Sequence, residues 1–424
     1  MYPGPTPDYD RGVRRVIVSL LLAAFGLTIG AARAQQPGGL EPTVILISLD
    51  GWRWDYHTRV PVPNLLRLIA RGVRAEGLIP AFPSKTFPNH YSIATGLCPG
   101  HHGIIANSIW DDPTQRLFTL TRRNELEDPM WWGGEPIWVT AERMGIPTAP
   151  LFWPGSEAPI HGVLPRYWER YDQDMPGAAR VDHALRWLDL PAAERPRFIT
   201  LYFEDTDTAG HADGPDSQAV RDAAIRSDGY LGRLTGGLER RGMLDRVNII
   251  VVSDHGMAAT SPRRVVLVDD YISLDDVVIS DINPTLGIFP KPGKEDAVYR
   301  ALAGAHRRLK VYRRQQTPAH WHYRDHPRIP PIVGVVDDGW QVMRRNSLED
   351  IVTRLVRGAG GQHGYDPRNR SMHGLFVAAG PAFKQGATVR AFENVHIYTA
   401  LARILGVTPA ANDGDPGVAR RLLK

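Results

Sequence analysis

Thr43-Val-Ile-Leu-Ile-Ser-Leu49, followed at once by Asp50-Gly51, decides the fold. The run is apolar, β-branched and too short for a helix, so it reads as a strand buried on both faces. The same grammar recurs. Arg197-Phe-Ile-Thr-Leu-Tyr-Phe203 leads directly into Glu204-Asp-Thr-Asp207, and Val247-Asn-Ile-Ile-Val-Val-Ser253 into Asp254-His255-Gly256. Gly374-Leu-Phe-Val-Ala-Ala379 is a fourth strand. Between them, residues 63–74 place leucines on one face and arginines on others, and residues 217–241 read as a long helix. Alternating buried strands and helices predict an α/β fold, a mostly parallel central sheet with helices on both faces. The alternation blurs between about residues 265 and 360, which predicts a smaller inserted subdomain. The expected main domain runs over 43–410, with 411–424 as a C-terminal tail.

The N-terminus reads as an address. Arg11, Arg14 and Arg15 precede an uncharged run from Val16 to Ala32, and Ala32-Arg33-Ala34 is a small-x-small cleavage pattern. Residues 1–34 are therefore expected to be a secretory signal peptide and 35–42 a Pro/Gly tether. The run is short for a full span, which disfavours an uncleaved anchor. The expected location is the periplasm, with secretion as the second reading, and no stable membrane span in the mature chain. The 424 residues carry a net charge of only +4, and basic residues are interspersed with acids, so no nucleic-acid partner is expected. With Cys98 the single cysteine, no intramolecular disulfide staples the fold.

Three strands end in acids. In open α/β sheets the ligand crevice lies beyond the carboxyl ends of the strands, where Asp50, Asp207 and Asp254 would converge. Each could instead cap a following helix or turn. Capping does not explain the accompanying histidines: His211 four residues after Asp207, His255 beside Asp254, and His363 between glycines. Three packed carboxylates repel one another, and a cation relieves that. Mixed carboxylate and imidazole donors suit zinc best, with manganese or iron weaker. Six ligands fit two open sites, the pair used as a clamp in phosphoryl displacement.

The stretch Pro83-Ser-Lys-Thr-Phe-Pro-Asn-His90 presents a hydroxyl to this crevice. Pro88 suits the first turn of a helix running from about Phe87 toward Thr95 and stopping before Gly96. Thr86 then projects from the helix start, where backbone N–H groups would face an anion. The competing reading makes Thr86 an N-cap only. Ser84, Ser92, Thr95 and Cys98 are the other nucleophile candidates nearby.

These motifs, in this order, resemble the nucleotide pyrophosphatase/phosphodiesterase family of the alkaline phosphatase superfamily. The matching pieces are Ser48–Gly51, Pro80–His90, His102–Asn107, Trp153–Ser156, Gly210-His211, Ser253–Met257 and His363–Asp366. The resemblance implies Thr86 as the nucleophile of a covalent phospho-threonine intermediate. It implies two Zn2+ ions, one held by Asp50, Asp254 and His255 with Thr86 as a further ligand, the other by Asp207, His211 and His363. Asn107 would hold a non-bridging phosphate oxygen, and Phe87 and Tyr171 would sandwich a nucleobase. The implied substrate is a nucleotide or another small phosphodiester. One departure stands out: Thr206 occupies a position where the family usually has proline, and Asp205 offers a competing carboxylate. Trp52-Arg-Trp-Asp-Tyr56 receives no role.

The main rival is a phosphomonoesterase or phosphonate hydrolase with the same metals. A monoester dianion needs an added cation, and Lys85 is the nearest candidate. A sulfatase is disfavoured, because Cys98-Pro-Gly-His101 lacks the Cys/Ser-x-Pro-x-Arg pattern. A non-catalytic, metal-stabilised binding protein is a further reading, which the intact nucleophile and ligand set disfavour.

Overall fold

The computed structural model describes Met1 and residues 41–345 and 360–424. The expected signal peptide apart from Met1, all but the last two residues of the tether, and 346–359 of the inserted region lie outside the described residues. Pro42–Lys424 forms one compact unit.

The opening strand, β1, spans Thr43–Leu49 with all seven residues buried. Helix α1 covers Pro63–Arg71, and β2 covers Gly72–Ala75. The expected helix over 63–74 thus ends three residues early, because Gly72–Arg74 pair with the sheet. The chain continues through α2 (Thr86–Thr95), β3 (Thr148–Pro150), α3 (Gly177–Leu188) and β4 (Phe198–Phe203). Then follow α4 (Asp205–Asp213), α5 (Gln218–Arg240) and β5 (Val247–Val252). After the inserted region come strands Phe376–Ala379 and Ala387–Val389 and helices Ile397–Leu405 and Pro416–Leu422.

Among the described residues the main sheet has seven strands. From one edge they run Ala387–Val389, β2, Phe376–Ala379, β5, β1, β4, β3. All pairs are parallel except the two made by Phe376–Ala379. Ser48 of β1 lies beside Tyr202 of β4 and Val252 of β5, so the acids that follow these strands emerge at one end of the sheet. Val44 and Leu46 enter one core with Tyr91 and Ile93 of α2 and Leu401. Helices α1 and α3 lie on the sheet and pack against α5.

The segment 411–424 is not a tail. Val418, Ala419 and Leu422 repeat at helical spacing and are buried in the same core as Val44. In the inserted region, strands Val277–Ile282, Thr285–Pro290, Ile332–Val336 and Leu309–Arg313 form, in that order, an antiparallel sheet. Its own apolar cluster includes Val298, Leu302 and Ile332.

Helix α1 starts at Pro63 without a side-chain cap from Val62. The buried Asp228 of α5 supplies it, accepting from Leu65 N at 2.7 Å and Asn64 N at 3.2 Å. Truncating such an acceptor strands buried N–H groups. Asp228→Ala is expected to lower stability in urea unfolding by about 1–3 kcal/mol, with Asp228→Asn recovering part of the loss.

Candidate active site

Six side chains meet beyond the carboxyl ends of β1, β4 and β5. Asp50 follows β1 directly. Gly51 has φ +65°, and a Cβ there would lie 2.8 Å from the Cα of Asp207. Glycine therefore lets the loop after β1 lie against α4. On α4, Asp207 and His211 share a face, with His211 Nε2 3.4 Å from Asp207 Oδ1. The competing carboxylate, Asp205, turns away and pairs with Arg226 at 3.1 Å. Thr206, at the departure from the family pattern, donates its hydroxyl to the Asp50 carbonyl and so joins the end of β1 to α4.

The ligand atoms fall into two groups, each within 4.8 Å: Asp50, Asp254 and His255, and Asp207, His211 and His363. His255 Nε2 lies 3.0 Å from Asp254 Oδ2 and 3.5 Å from Asp50 Oδ1. His363 Nε2 lies 3.1 Å from His211 Nε2 and 3.7 Å from Asp207 Oδ1. The rings of His255 and His363 stack at 3.5 Å, which joins the groups.

The histidine tautomers follow from the backbone. The Nδ1 atoms of His211, His255 and His363 face the carbonyls of Gly361, Gly256 and Ser84 at 3.0, 2.9 and 2.8 Å. A carbonyl only accepts, so Nδ1 carries the proton and Nε2 turns a lone pair to the cluster. On the acid side, Asp50 Oδ1, Asp207 Oδ1 and Asp254 Oδ2 are buried without a hydrogen-bond partner. Facing lone pairs and orphaned carboxylate oxygens are what a divalent cation satisfies, so the residues fit a metal centre.

The electrostatics agree. Burial, then the charges of Asp254 and Asp207, push the Asp50 carboxyl well above its usual range. Burial disfavours the His255 cation, but Asp254, Asp207 and the Gly256 carbonyl together lift this imidazole. Burial, His255 and His211 hold His363 well below its usual value. Without a metal, the carboxylates favour a proton on His255, and metal binding there would displace it.

Behind the ligands stands a layer that the sequence analysis missed. Tyr202 donates to Asp50 Oδ2 at 2.7 Å. His90 lies between Ser48 Oγ and the Thr86 carbonyl, at 2.8 Å from each. The one-residue alternation of β4 beside β1 was the available signal for Tyr202; His90 had only its place in the Thr86 motif. The segment Trp52–Tyr56 acts in support. Trp52 N–H donates to Ser253 Oγ, and Arg53 pairs with Asp55 and Asp216 at 2.8 and 2.9 Å.

Thr86 is the first helical residue of α2, after Lys85 as N-cap, and Gly96 ends the helix in the left-handed conformation. The helix therefore begins one residue before the expected Phe87, and Thr86 is not its N-cap. Thr86 Oγ1 lies 3.4 Å from His255 Nε2. The expected anion-binding backbone is narrower than a bare helix N-terminus. Phe87 N–H donates to Asn107 Oδ1 at 3.0 Å, Asn89 N–H to Lys85 O, and Pro88 has none. Among the described residues, the Thr86 N–H and the Asn107 amide nitrogen remain for a ligand. Ser84, Ser92 and Thr95 are tied to Tyr365, His102 and Tyr91, and Cys98 is buried with its thiol pushed up by burial, then by Asp413.

A cleft of about 630 Å³ opens over the cluster, lined by Thr86, Phe87, Asn107, Tyr171 and Asp207 among others. Phe87 rests on Phe118 and Trp132, with ring centroids 5.9 and 6.2 Å away. Tyr171 stands against Phe152 at 5.3 Å and Tyr202 at 6.1 Å. Lys85 points elsewhere: its buried ammonium pairs with Asp281 of the inserted sheet at 2.6 Å.

The model of the family described as type I phosphodiesterase / nucleotide pyrophosphatase matches residues 44–366. Human ectonucleotide pyrophosphatase/phosphodiesterase family member 5 is 34% identical over 400 residues, covering 94% of this chain and 81% of the relative. The bis(5'-adenosyl)-triphosphatase of Xenopus laevis is 36% identical over 90% of this chain and 82% of its own. The solved structure of murine member 5 superposes with a TM-score of 0.85 at 35% identity, covering 90% of this chain and 100% of that one. An inactive threonine-to-alanine form of the murine protein, also solved, is in complex with AMP. On this sequence match and this fold, the chain is a hydrolase belonging to the type I phosphodiesterase / nucleotide pyrophosphatase family, in the alkaline phosphatase superfamily.

Proposed function

We propose that the chain is a two-zinc enzyme that splits phosphodiester or phosphoanhydride bonds of nucleotides and their esters, releasing a nucleoside monophosphate. The observation that carries the reading is the Thr86 hydroxyl at the rim of the six-ligand cluster, in a cleft without an uncommitted cation among the described residues. Asp50, Asp254 and His255, with Thr86, would hold one ion, and Asp207, His211 and His363 the other. When bound, zinc lowers the pKa of a hydroxyl or water and offsets phosphate charge.

The chain's own residues supply the rest. Thr86 Oγ1 forms a bond to phosphorus as the bond to the leaving oxygen breaks. The hydroxyl proton passes to solvent, and the leaving group takes one up. Water then forms the new P–O bond, giving up a proton to solvent, and the Thr86–phosphorus bond breaks as Thr86 Oγ1 takes a proton back. The Thr86 N–H and the Asn107 amide would donate to a non-bridging oxygen. Phe87 and Tyr171, on the walls of the cleft, would flank the base. The loss of activity on threonine substitution in the murine relative, and its AMP complex, support the same reading.

A monoester dianion would need an extra cation. Lys85 is committed to Asp281, and the cleft-lining Arg123 to Glu157 and the Tyr171 carbonyl. This favours a diester monoanion over the phosphomonoesterase or phosphonate-hydrolase reading. Export is part of the proposal: the leader read in residues 1–34 and the "ecto" in the human relative's name support a periplasmic or secreted enzyme. Among the described residues no helix is long and apolar enough to cross a membrane.

With zinc-loaded mature protein, the nitrophenyl ester of thymidine monophosphate is expected to turn over at least about 100-fold faster than nitrophenyl phosphate, by the cost of an unmatched charge. A preference for the monoester would move the enzyme to the phosphatase class, and turnover of neither would favour the non-catalytic reading. Thr86→Ala is expected to cut turnover by about 1,000-fold or more while zinc content stays, and Thr86→Ser to keep part of the rate. Near-normal turnover of Thr86→Ala would remove it as nucleophile. His363→Ala is expected to lower bound zinc from two ions to one per chain, read by elemental analysis; unchanged stoichiometry would break the ligand assignment.

A further inference from the structure

Tyr171 has no regular secondary structure to hold it; its backbone lies in irregular chain before α3. Yet both of its main-chain polar groups are taken by side chains. Glu157 Oε1 accepts from the Tyr171 N–H at 3.0 Å, and the Arg123 guanidinium donates to the Tyr171 carbonyl. Arg123 also pairs with the other carboxylate oxygen of Glu157 at 2.6 Å, which closes a ring of three interactions. Next to it, Arg170 pairs with Glu127 at 2.8 Å, a further link between the same two segments.

The arginine reaches Tyr171 from the opposite wall. Arg123 lies just beyond the hairpin of Ser108–Asp111 and Arg116–Thr119, whose Phe118 ring backs Phe87. One excursion of the chain, residues 108–127, thus supports Phe87 through Phe118 and holds Tyr171 through Arg123. This excursion therefore touches both aromatic walls of the cleft, while the Tyr171 ring also stands against Phe152 and Tyr202.

We infer that Arg123 and Glu157 are positioning residues that fix Tyr171 opposite Phe87, and that this clamp determines the preference for nucleotidyl esters over esters without a base. The inference rests on the proposal that Phe87 and Tyr171 flank the nucleobase. A freely moving loop would lose ordering entropy each time it closed on a base; the clamp removes that cost before the substrate arrives. Its effect therefore falls on binding of the base and not on the bond-breaking step.

The test compares kcat and KM for the nitrophenyl ester of thymidine monophosphate with those for nitrophenyl methyl phosphate, a diester without a base. Arg123→Ala and Glu157→Ala are each expected to lower the ratio of kcat/KM values about tenfold, mainly through KM for the thymidine ester, as for loss of one charge-assisted hydrogen bond. Arg123→Lys, which keeps one donor but not the fork, is expected to recover part of the ratio. Binding of thymidine monophosphate to the zinc-loaded Thr86→Ala form, by calorimetry with and without Arg123→Lys, gives the same comparison without turnover, should an alanine variant fail to fold. Tyr171→Ala separates the two ideas. A ratio that drops in Tyr171→Ala but stays within twofold of the parent in the Arg123 and Glu157 variants overturns the clamp. A ratio unchanged in Tyr171→Ala overturns the base-stacking reading, and the clamp with it.

Discussion

Three buried carboxylates and three imidazole lone pairs face one another beyond the end of a parallel sheet, and the active site depends on how that charge is balanced. Each acid keeps one buried oxygen without a hydrogen-bond partner. Each imidazole spends its Nδ1–H on a backbone carbonyl and turns Nε2 inward. A protein that buried these groups for stability alone would have paired them with one another or with N–H donors. The surroundings instead fix their direction. Tyr202 steadies Asp50, Thr206 joins the Asp50 backbone to α4, and the Ser84 carbonyl orients His363. That last contact matters for chemistry, because Ser84 belongs to the same short stretch as Thr86. The segment that carries Thr86 and a histidine of the other donor group are one mechanical unit.

The inserted sheet serves this unit from the side. The buried Lys85–Asp281 pair ties the start of α2 to it, while Thr285 also donates to Asp281. A buried ion pair of this kind adds little net stability, since desolvation offsets its attraction. Its evident consequence is directional: it draws the one lysine beside Thr86 away from the cleft. Under the proposed reading, metal ions at the donor groups would supply the charge and the aromatic pair the shape, which suits a diester carrying a base better than a compact dianion.

Much of this was legible in the sequence because it is local. Short apolar runs ending in acids report buried strands and the end of the sheet at which ligands collect, since backbone geometry leaves few other uses for such runs. The Asp207–His211 spacing reports a shared helix face. Where the reading failed, the deciding contacts came from elsewhere in the chain. Gly72–Arg74 left the helix for the sheet because a strand some 300 residues away pairs with them. The last fourteen residues read as a tail because a short amphipathic turn has no meaning until a core is there to receive Val418 and Leu422.

The sequence by itself determined the class of fold, the order of the strands' acidic ends and the identity of the six donors, because each rests on periodicity or on residue chemistry that needs no partner. Tertiary structure alone decided that Asp205 serves Arg226 while Asp207 faces inward, and that Lys85 is spent on Asp281. It also decided how Arg123 and Glu157, 34 residues apart, meet at the backbone of Tyr171. Such choices depend on which side chains arrive at the same point in space, and no local rule of spacing encodes that.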